Sequence, residues 1–288
     1  MSRIALVTHA GLPNLSDDDR LLLPALRRRG LVGEAAAWDD ASVRWSEHDL
    51  VVLRSTWNYH LASARFLAWL DDVDARGARV WNPPALVRWN ADKRYLLDLA
   101  SRSIPIATTH LVERGAHGSL ASRLEYAGWH EAVVKPTVSA SAHETWLVCG
   151  APTEADEARY RRLVDDRAVL VQRFIPQVVT EGEWSFVFID GAFSHAVLKR
   201  PAAGDFRVQR EHGGTAEPRE PAPALLDDAR AVLARLPHPT LYARVDGCAL
   251  AGRLLLMELE LIEPSLFLAL AAEAPARLAD AIARRLTG

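Results

Sequence analysis

A change of patterning at a proline pair constrains this chain more than any other feature. Ahead of Asn82-Pro83-Pro84, short apolar runs alternate with amphipathic stretches. Ile4 to Thr8 reads as a strand. Ser16 reads as the cap of a helix with Asp17, Asp18 and Asp19 in its first turn, Arg27 to Arg29 in its last, and a stop at Gly30; acid at the start and base at the end suit the helix dipole. Asp49 to Leu53 reads as the second buried strand, and Ala62 to Arg76 as a helix ending at Gly77. Strands alternating with helices imply a parallel α/β sheet, and such sheets bind ligands at the carboxyl ends of their strands. The loop Arg54-Ser55-Thr56-Trp57-Asn58-Tyr59 leaves the Asp49–Leu53 strand there and is a candidate substrate-facing loop. No G-x-G-x-x-G follows the first strand, which argues against an ordinary dinucleotide fold.

Beyond the prolines a helix is expected over Ala91 to Ala100, then mixed elements to about Val164. From Ala168 the signals become antiparallel. Glu183 to Ile189 alternates, Asp190-Gly191 makes a hairpin turn, and Phe193 to Lys199 returns. A helix is expected from Pro223 to Leu236, strands over Leu241–Asp246 and Arg253–Leu261 joined by a Gly-containing turn, and helical segments from Ser265 to Leu286. The fold class is therefore α/β followed by α+β, in three units: 1–85, 86–170 and 171–288.

Composition excludes several function classes. A net charge of -3 argues against a dedicated nucleic-acid binder. No run approaches the roughly 20 apolar residues of a membrane span. The apolar N-terminal stretch is too short for a secretion signal and no small-residue cleavage site follows it. Two cysteines, Cys149 and Cys248, make no disulfide framework and read as small buried residues in a reducing, cytoplasmic setting. The 34 basic residues comprise 31 Arg and only three Lys: Lys93, Lys135 and Lys199. Compositional drift explains the ratio, and it leaves the surviving lysines as places where a compact ammonium matters. None is preceded by Gly in a G-K-[ST] phosphate loop.

The last two strands carry the sharpest local chemistry. Strand side chains alternate between faces, so Tyr242, Arg244 and Asp246 share one face, while Leu241, Ala243 and Val245 share the other. Glu258 and Glu260 likewise share a face, with Met257, Leu259 and Leu261 turned to a core. Pairing the two strands gathers Asp246, Glu258 and Glu260, hard oxygen donors of the kind Mg²⁺ takes. A solvated acidic strand face neutralised by arginines fits the same local pattern, and both readings stay open. Lys135 closes the buried run Ala132-Val133-Val134 and is followed by small residues, Ser139 to Ala142, whose backbone could approach an anion. Lys93 is expected near a helix start, where a nearby anion would explain a cation. Lys199 shares a strand face with His195.

Taken in order, Lys93 in NADK, Lys135 in VVKP, Val171-Gln172-Arg173-Phe174-Ile175-Pro176, Glu183, Arg207 ahead of Gly213-Gly214, Asp246 and Glu258-Leu259-Glu260 resemble the ATP-grasp superfamily in its glutathione-synthetase-like form. EGEWSFVFIDGAFSHAVLKRPAAGDFRVQ and MELELIEPSLFL resemble the ATP-grasp group that includes the cycloserine-biosynthesis cyclo-ligase. The resemblance spans nearly the whole chain and implies an ATP-grasp fold behind a Rossmann-like N-terminal domain. It implies that Lys93 and Lys135 hold ATP phosphates, that Ser141 lies in the phosphate-covering loop, and that Gln172, Arg173, Phe174 and Ile175 read adenine. Glu183 would take the ribose and Arg207 the γ-phosphate, with Lys199 and Arg244 beside the reacting groups. Asp246, Glu258 and Glu260 would hold Mg²⁺, or Mn²⁺ in its place. Two departures stand out: Glu260 where Asn is usual, and no glycine in Ser139 to Ala142.

The activity so implied is ATP-dependent ligation of a carboxylate, activated as an acyl phosphate, to an amine on a small amino-acid-like substrate, with ring closure inside one molecule as one form of it. The loop Arg54–Tyr59, Arg244, His195 and Lys199 are the candidate substrate contacts. A small-molecule kinase and a non-catalytic nucleotide-binding regulator are the rival readings. The sequence names no nucleic-acid or membrane partner and leaves homo-oligomerisation open.

Overall fold

The structure, a computed structural model, describes residues 1–287 and contains three sheets. The first is parallel, with β1 (Arg3–Thr8), β2 (Val32–Ala37), β3 (Leu50–Leu53) and β4 (Val80–Trp81) in the order β2-β1-β3-β4. β1 and β3 are apolar and almost wholly buried, as central parallel strands are. β2 is missing from the sequence reading, which makes Asp49–Leu53 the third strand and not the second. Val-Gly-Glu-Ala-Ala-Ala has a single β-branched residue, and pairing with β1 overrides that weak local preference. Ser16 caps its helix as expected, its Oγ accepting from Asp19 N at 3.1 Å. The expected single helix is broken at Leu21 into Asp17–Arg20 and Leu22–Arg27. Pro24 has no N–H to donate to the carbonyl four residues earlier, so the first turn cannot run on.

The proline pair starts a helix, Pro84–Asn90, with Pro84 in its first turn. A second helix, Tyr95–Ser101, follows. The helix expected over Ala91–Ala100 is the second of these, starting four residues later, while Pro84–Asn90 is missing from the sequence reading; Lys93 lies in the turn just ahead of Tyr95. Lys93 therefore does stand at a helix start, its carbonyl accepting from Leu96 N at 3.1 Å.

The middle sheet joins β5 (Thr109–Val112), β6 (Glu131–Pro136), β7 (Trp146–Cys149) and β8 (Val169–Arg173) in the antiparallel order β5-β8-β6-β7. Helices Leu120–Ala127 and Glu154–Asp166 cover it, burying Leu120, Leu124, Tyr160 and Leu163 against Val134, Val148, Val169 and Val171. Cys149 ends β7 exposed, against the expectation of burial, while Cys248 is buried.

The third sheet is antiparallel, in the order β11-β10-β9-β12-β13, from β9 (Glu183–Ile189), β10 (Ala192–Arg200), β11 (Thr215–Pro218), β12 (Tyr242–Leu250) and β13 (Arg253–Glu260). The β9–β10 turn is Asp190-Gly191 with φ of 54° and 76°, as a two-residue hairpin with matching twist needs. The helix Pro223–Leu233 packs on one face. The chain closes with the helix Ala274–Thr287, whose Leu278 and Ile282 share one core with Ile4, Leu6, Leu22 and Leu26 of the first sheet's layer and Val187, Ile189 and Tyr242 of the third sheet. That shared core fixes the carboxyl ends of the parallel strands beside β12.

Candidate active site

The register of β9, β10, β12 and β13 builds the charged face. Arg244 pairs with Glu260, Asp246 with Glu258 across β12–β13 and with Ser185 across β12–β9, and Lys199 with Glu183 across β10–β9. Cations interleave the carboxylates. Lys199 Nζ donates to Glu183 Oε1 at 2.5 Å and to Asp246 Oδ2 at 2.8 Å. Arg244 Nη2 donates to Asp246 Oδ2 at 2.8 Å and to Glu260. Lys93 Nζ stands 3.0 Å from Glu258 Oε1. Lys135 is buried on β6 and, among the described residues, makes no ion pair. Lys93, Lys135, Lys199, Glu183, Arg244, Asp246, Glu258 and Glu260, scattered over 168 positions of sequence, thus meet in one cleft.

A bulge sets this face. Gly247 pairs with Leu256 while Asp246 pairs with Glu258, so Met257 is the extra residue. Met257 accordingly packs with Phe174, Phe206, Ile175 and Val208, and not in the core with Leu259 and Leu261 as the alternation suggested. Only glycine fits opposite, because a Cβ on Gly247 would lie 2.5 Å from Leu255 O.

The loop after β6 is tied to Lys93 twice. Lys93 N donates to Thr137 O at 2.7 Å, and Lys93 Nζ to Ser139 O at 2.5 Å. Ser141 is exposed on this loop, and Ser141, Ala142 and Glu144 all adopt positive φ (49°, 54° and 53°), the region glycine enters most easily. The loop rests on the N-terminal unit: Ala140 packs against its core, and the His143 ring lies 5.2 Å from that of His60.

Three residues that the sequence reading missed hold the open edge of β13. Asn90 Nδ2 donates to Leu259 O at 2.8 Å, and its Oδ1 accepts from Leu261 N at 2.9 Å, so one buried amide stands in for a neighbouring strand. Tyr95 Oη accepts from Leu259 N at 2.9 Å. Asn82 Nδ2 donates to Leu261 O and Tyr242 O, while its Oδ1 accepts from Leu241 N. Glu258 and Glu260 are therefore carried on an edge strand with its backbone groups satisfied from outside the sheet.

Just past β13, four consecutive carbonyls are each held by a side chain. Ile262 O and Leu53 O share the single hydrogen of the Tyr242 hydroxyl. Glu263 O accepts from Trp57 Nε1 at 2.9 Å, Pro264 O from Arg54 Nη2 at 2.8 Å, and Ser265 O from Arg244 Nη1 at 3.0 Å. The loop Arg54–Tyr59 is thus largely spent on the protein itself. Arg54 is fully buried against Asp19, Asn58 bonds Trp38 and Asp39, and Tyr59 lies in the core. Arg54 Nε and Nη2 and the Asn58 amide are thus engaged within the protein, which takes these groups out of the expected set of direct substrate contacts.

Other expected residues stand apart from the charged face. Arg207 is half-buried and paired with Asp205 at 2.7 Å. His195 uses both ring nitrogens, on Ser194 Oγ and Leu266 O. Gln172 is buried on β8 with Nε2 donating to Thr109 Oγ1 at 2.8 Å. Arg173 N and Phe174 N donate to Thr108 O and Glu131 O, while Ile175 N has no acceptor among the described residues.

Electrostatics divide the acids. Burial opposes the Asp246 charge, but Arg244 and Lys199 hold its carboxyl well below the usual range. Burial pushes Glu260 up to about 7 in spite of Arg244, and burial with the Glu260 charge pushes Glu263 up to about 8. Burial lowers Lys135, with Glu258 opposing. Among the described residues no three carboxylates, histidines or cysteines converge as a ready-made metal cage. The donor set nevertheless fits a hard divalent cation. Glu258 and Glu260 are near neighbours on one strand face, and each keeps a carboxylate oxygen that no side chain of the described residues holds. Asp246 fits less directly, since Ser185, Arg244 and Lys199 already occupy its oxygens.

Comparison with known proteins decides the family. The family described as D-cycloserine synthetase DcsG, N-terminal domain, matches residues 4–82. The cycloserine biosynthesis protein DcsG of Streptomyces lavendulae is 34% identical over 301 residues, covering 99% of this chain and 99% of that protein. This chain belongs to the ATP-grasp ligases of the cycloserine-synthetase group. The crystal structure of D-cycloserine synthetase DcsG superposes on this ligase with a TM-score of 0.90 at 32% identity, covering 99% of this chain and all of the other. D-alanine–D-alanine ligase from Bacillus anthracis, solved with ATP, superposes at 0.71 with 16% identity over the full chain, a likeness of fold. The ligase is an ADP-forming carboxylate–amine ligase. None of its described helices is long and apolar enough to cross a membrane.

Proposed function

We propose that this ligase closes the ring of cycloserine or of a closely related cyclic amino-acid derivative. The observation that carries the reading is the whole-length likeness to D-cycloserine synthetase, at a TM-score of 0.90. Cycloserine is a serine whose carboxyl carbon and side-chain oxygen are bridged by nitrogen. A carboxylate–amine ligase makes it by activating the carboxylate of a serine that bears a nitrogen nucleophile on its side-chain oxygen.

Carboxylates do not acylate amines directly, because oxide is a poor leaving group. Transfer of the ATP γ-phosphoryl group gives an acyl phosphate, and nitrogen then displaces phosphate. Such transfer is mostly positioning and charge balance. We assign Lys93, Lys135 and the backbone around Ser141 to the phosphates. Gln172, Arg173, Phe174 and Ile175 take adenine, with the free Ile175 N–H as donor and the apolar group around Met257 as wall. Glu183 takes the ribose. Arg207 belongs to the γ-phosphate and has to exchange Asp205 for it. Arg244 and Lys199 steady the reacting carboxylate. Asp246, Glu258 and Glu260 would hold Mg²⁺, or Mn²⁺, which would supply charge neutralisation at the phosphates. The work is cytoplasmic, where ATP is supplied.

Incubation with Mg-ATP and D-O-aminoserine, the open-chain amino acid that becomes cycloserine by loss of water, tests the reading. Equal yields of ADP, phosphate and cycloserine are expected. A stable phosphorylated amino acid, or ADP release that no amino acid stimulates, would overturn it.

A further inference from the structure

Glu263 is the one acid of the cleft without a cation. Glu183 and Asp246 share Lys199, Asp246 and Glu260 share Arg244, and Glu258 has Lys93. Among the described residues no other residue donates to the Glu263 carboxylate, although it is partly buried and its electrostatic neighbours include Glu260, Lys93, Glu258 and the buried hydroxyls of Tyr59 and Tyr242. A carboxyl held in such surroundings is costly to ionise until a hydrogen-bond donor reaches it, and no side chain of the described residues supplies one.

The backbone at this position is fixed from three directions. Trp57 of the N-terminal unit holds the Glu263 carbonyl, Arg54 holds the next, and Arg244, which also holds Asp246 and Glu260, takes the one after. Segments so pinned do not swing to find a partner. The side chain is therefore presented from a rigid mount, at the seam between the N-terminal sheet and the charged face of β12 and β13.

We propose that Glu263 is the residue that receives the nucleophilic nitrogen of the substrate: its carboxylate accepts a hydrogen bond from that nitrogen and takes its proton when the carbonyl carbon is attacked. The assignment rests on the ring-closing reading above. In the step, the N–C bond forms and the C–O bond to phosphate breaks. Phosphate leaves with the electron pair, and the proton given up by nitrogen passes to a Glu263 oxygen. No oxidant or further reactant enters. Placing this carboxylate among acids selects a substrate that brings an N–H donor and rejects one that offers an anion there. Arg54 and Trp57, whose loop reads from sequence as substrate-facing, then act as positioning residues through the Glu263–Pro264 backbone.

A partition experiment separates this role from a part in phosphoryl transfer. The enzyme is given Mg-ATP, D-O-aminoserine and excess hydroxylamine, which captures acyl phosphate as a hydroxamate without help from the protein. Cycloserine, hydroxamate and ADP are measured for wild type, Glu263→Gln and Glu263→Asp. In Glu263→Gln, cycloserine is expected to fall about a hundredfold, the scale of a lost general base. Hydroxamate takes its place, ADP release in the presence of hydroxylamine stays within about twofold, and Glu263→Asp recovers part of the ring closure. Binding of a fluorescent ATP analogue at wild-type affinity shows that the variant is folded. Parallel loss of ADP, hydroxamate and cycloserine assigns Glu263 to the ATP step and overturns the proposal, as does unchanged ring closure. No ADP release from wild type with D-O-aminoserine, with or without hydroxylamine, removes the ring-closing reading itself and the role of Glu263 with it.

Discussion

Scarcity makes the lysines of this ligase a chemical probe. All three lie in the cleft, but their surroundings differ. Lys93 and Lys199 are paired with carboxylates, whereas Lys135 has no ion pair and burial lowers its pKa. The uncharged amine is the reactive form, so limited acetylation is expected to modify Lys135 first, to abolish turnover, and to be blocked by ATP; peptide mass spectrometry with and without ATP checks this. Initial acetylation at Lys93 or Lys199, or retained activity with Lys135 modified, would contradict the charge assignment. Glu263 gives a second expectation. Its folded pKa lies near 8, above the ordinary carboxyl value of 4.5. Between those values the native state keeps a proton that the unfolded chain has lost, so this group's contribution falls as pH rises through the window. Glu263→Gln should therefore gain thermal stability over wild type as pH goes from 5 to 8, and a constant difference in melting temperature would count against the burial of that carboxyl.

Elements were legible in the sequence where period and chemistry coincide within one strand. Alternation puts Glu258 and Glu260 on one strand face and Asp246 on that of another, which the β12–β13 pairing then joins, and Asp190-Gly191 fixes its hairpin by the backbone angles it can adopt. What holds those elements was not legible. Asn90 lies 169 residues from Leu259 and satisfies it with a side-chain amide, and no local pattern marks such a partner. Met257 breaks alternation because of Gly247 on the opposite strand, and β2 exists because β1 pairs with it. Two variants test this level. Gly247→Ala forces a Cβ into Leu255 O and should cost about 2 kcal/mol or more, the usual scale of overpacking. Asn90→Leu strands the Leu259 carbonyl and the Leu261 N–H. Such a loss costs about 1–3 kcal/mol per group, whereas Asn90→Asp keeps the acceptor for Leu261 and should lose less. Urea unfolding orders the variants, and equal losses for Leu and Asp would deny Asn90 its strand-like role.

Seen whole, the molecule joins first and last residues in one core. The helix Ala274–Thr287 packs on the helices near the N-terminus, Arg29 pairs with Asp280, and Arg79 donates to the carbonyls of Arg285 and Leu286. The parallel sheet therefore depends on the chain's end, and removal of residues 272–288 should leave a species without a cooperative tryptophan-fluorescence transition. A sharp transition in that truncate would contradict the shared core. That same core brings the Arg54–Trp57 loop against Glu263 and so completes the cleft in which the ligase is held to work. The central claim, carboxylate activation as an acyl phosphate followed by attack of nitrogen, is tested most directly by isotope transfer. With D-O-aminoserine labelled by ¹⁸O in its carboxylate, the account predicts one labelled oxygen in each released phosphate and cycloserine formed in equal amount; unlabelled phosphate beside that product would contradict it.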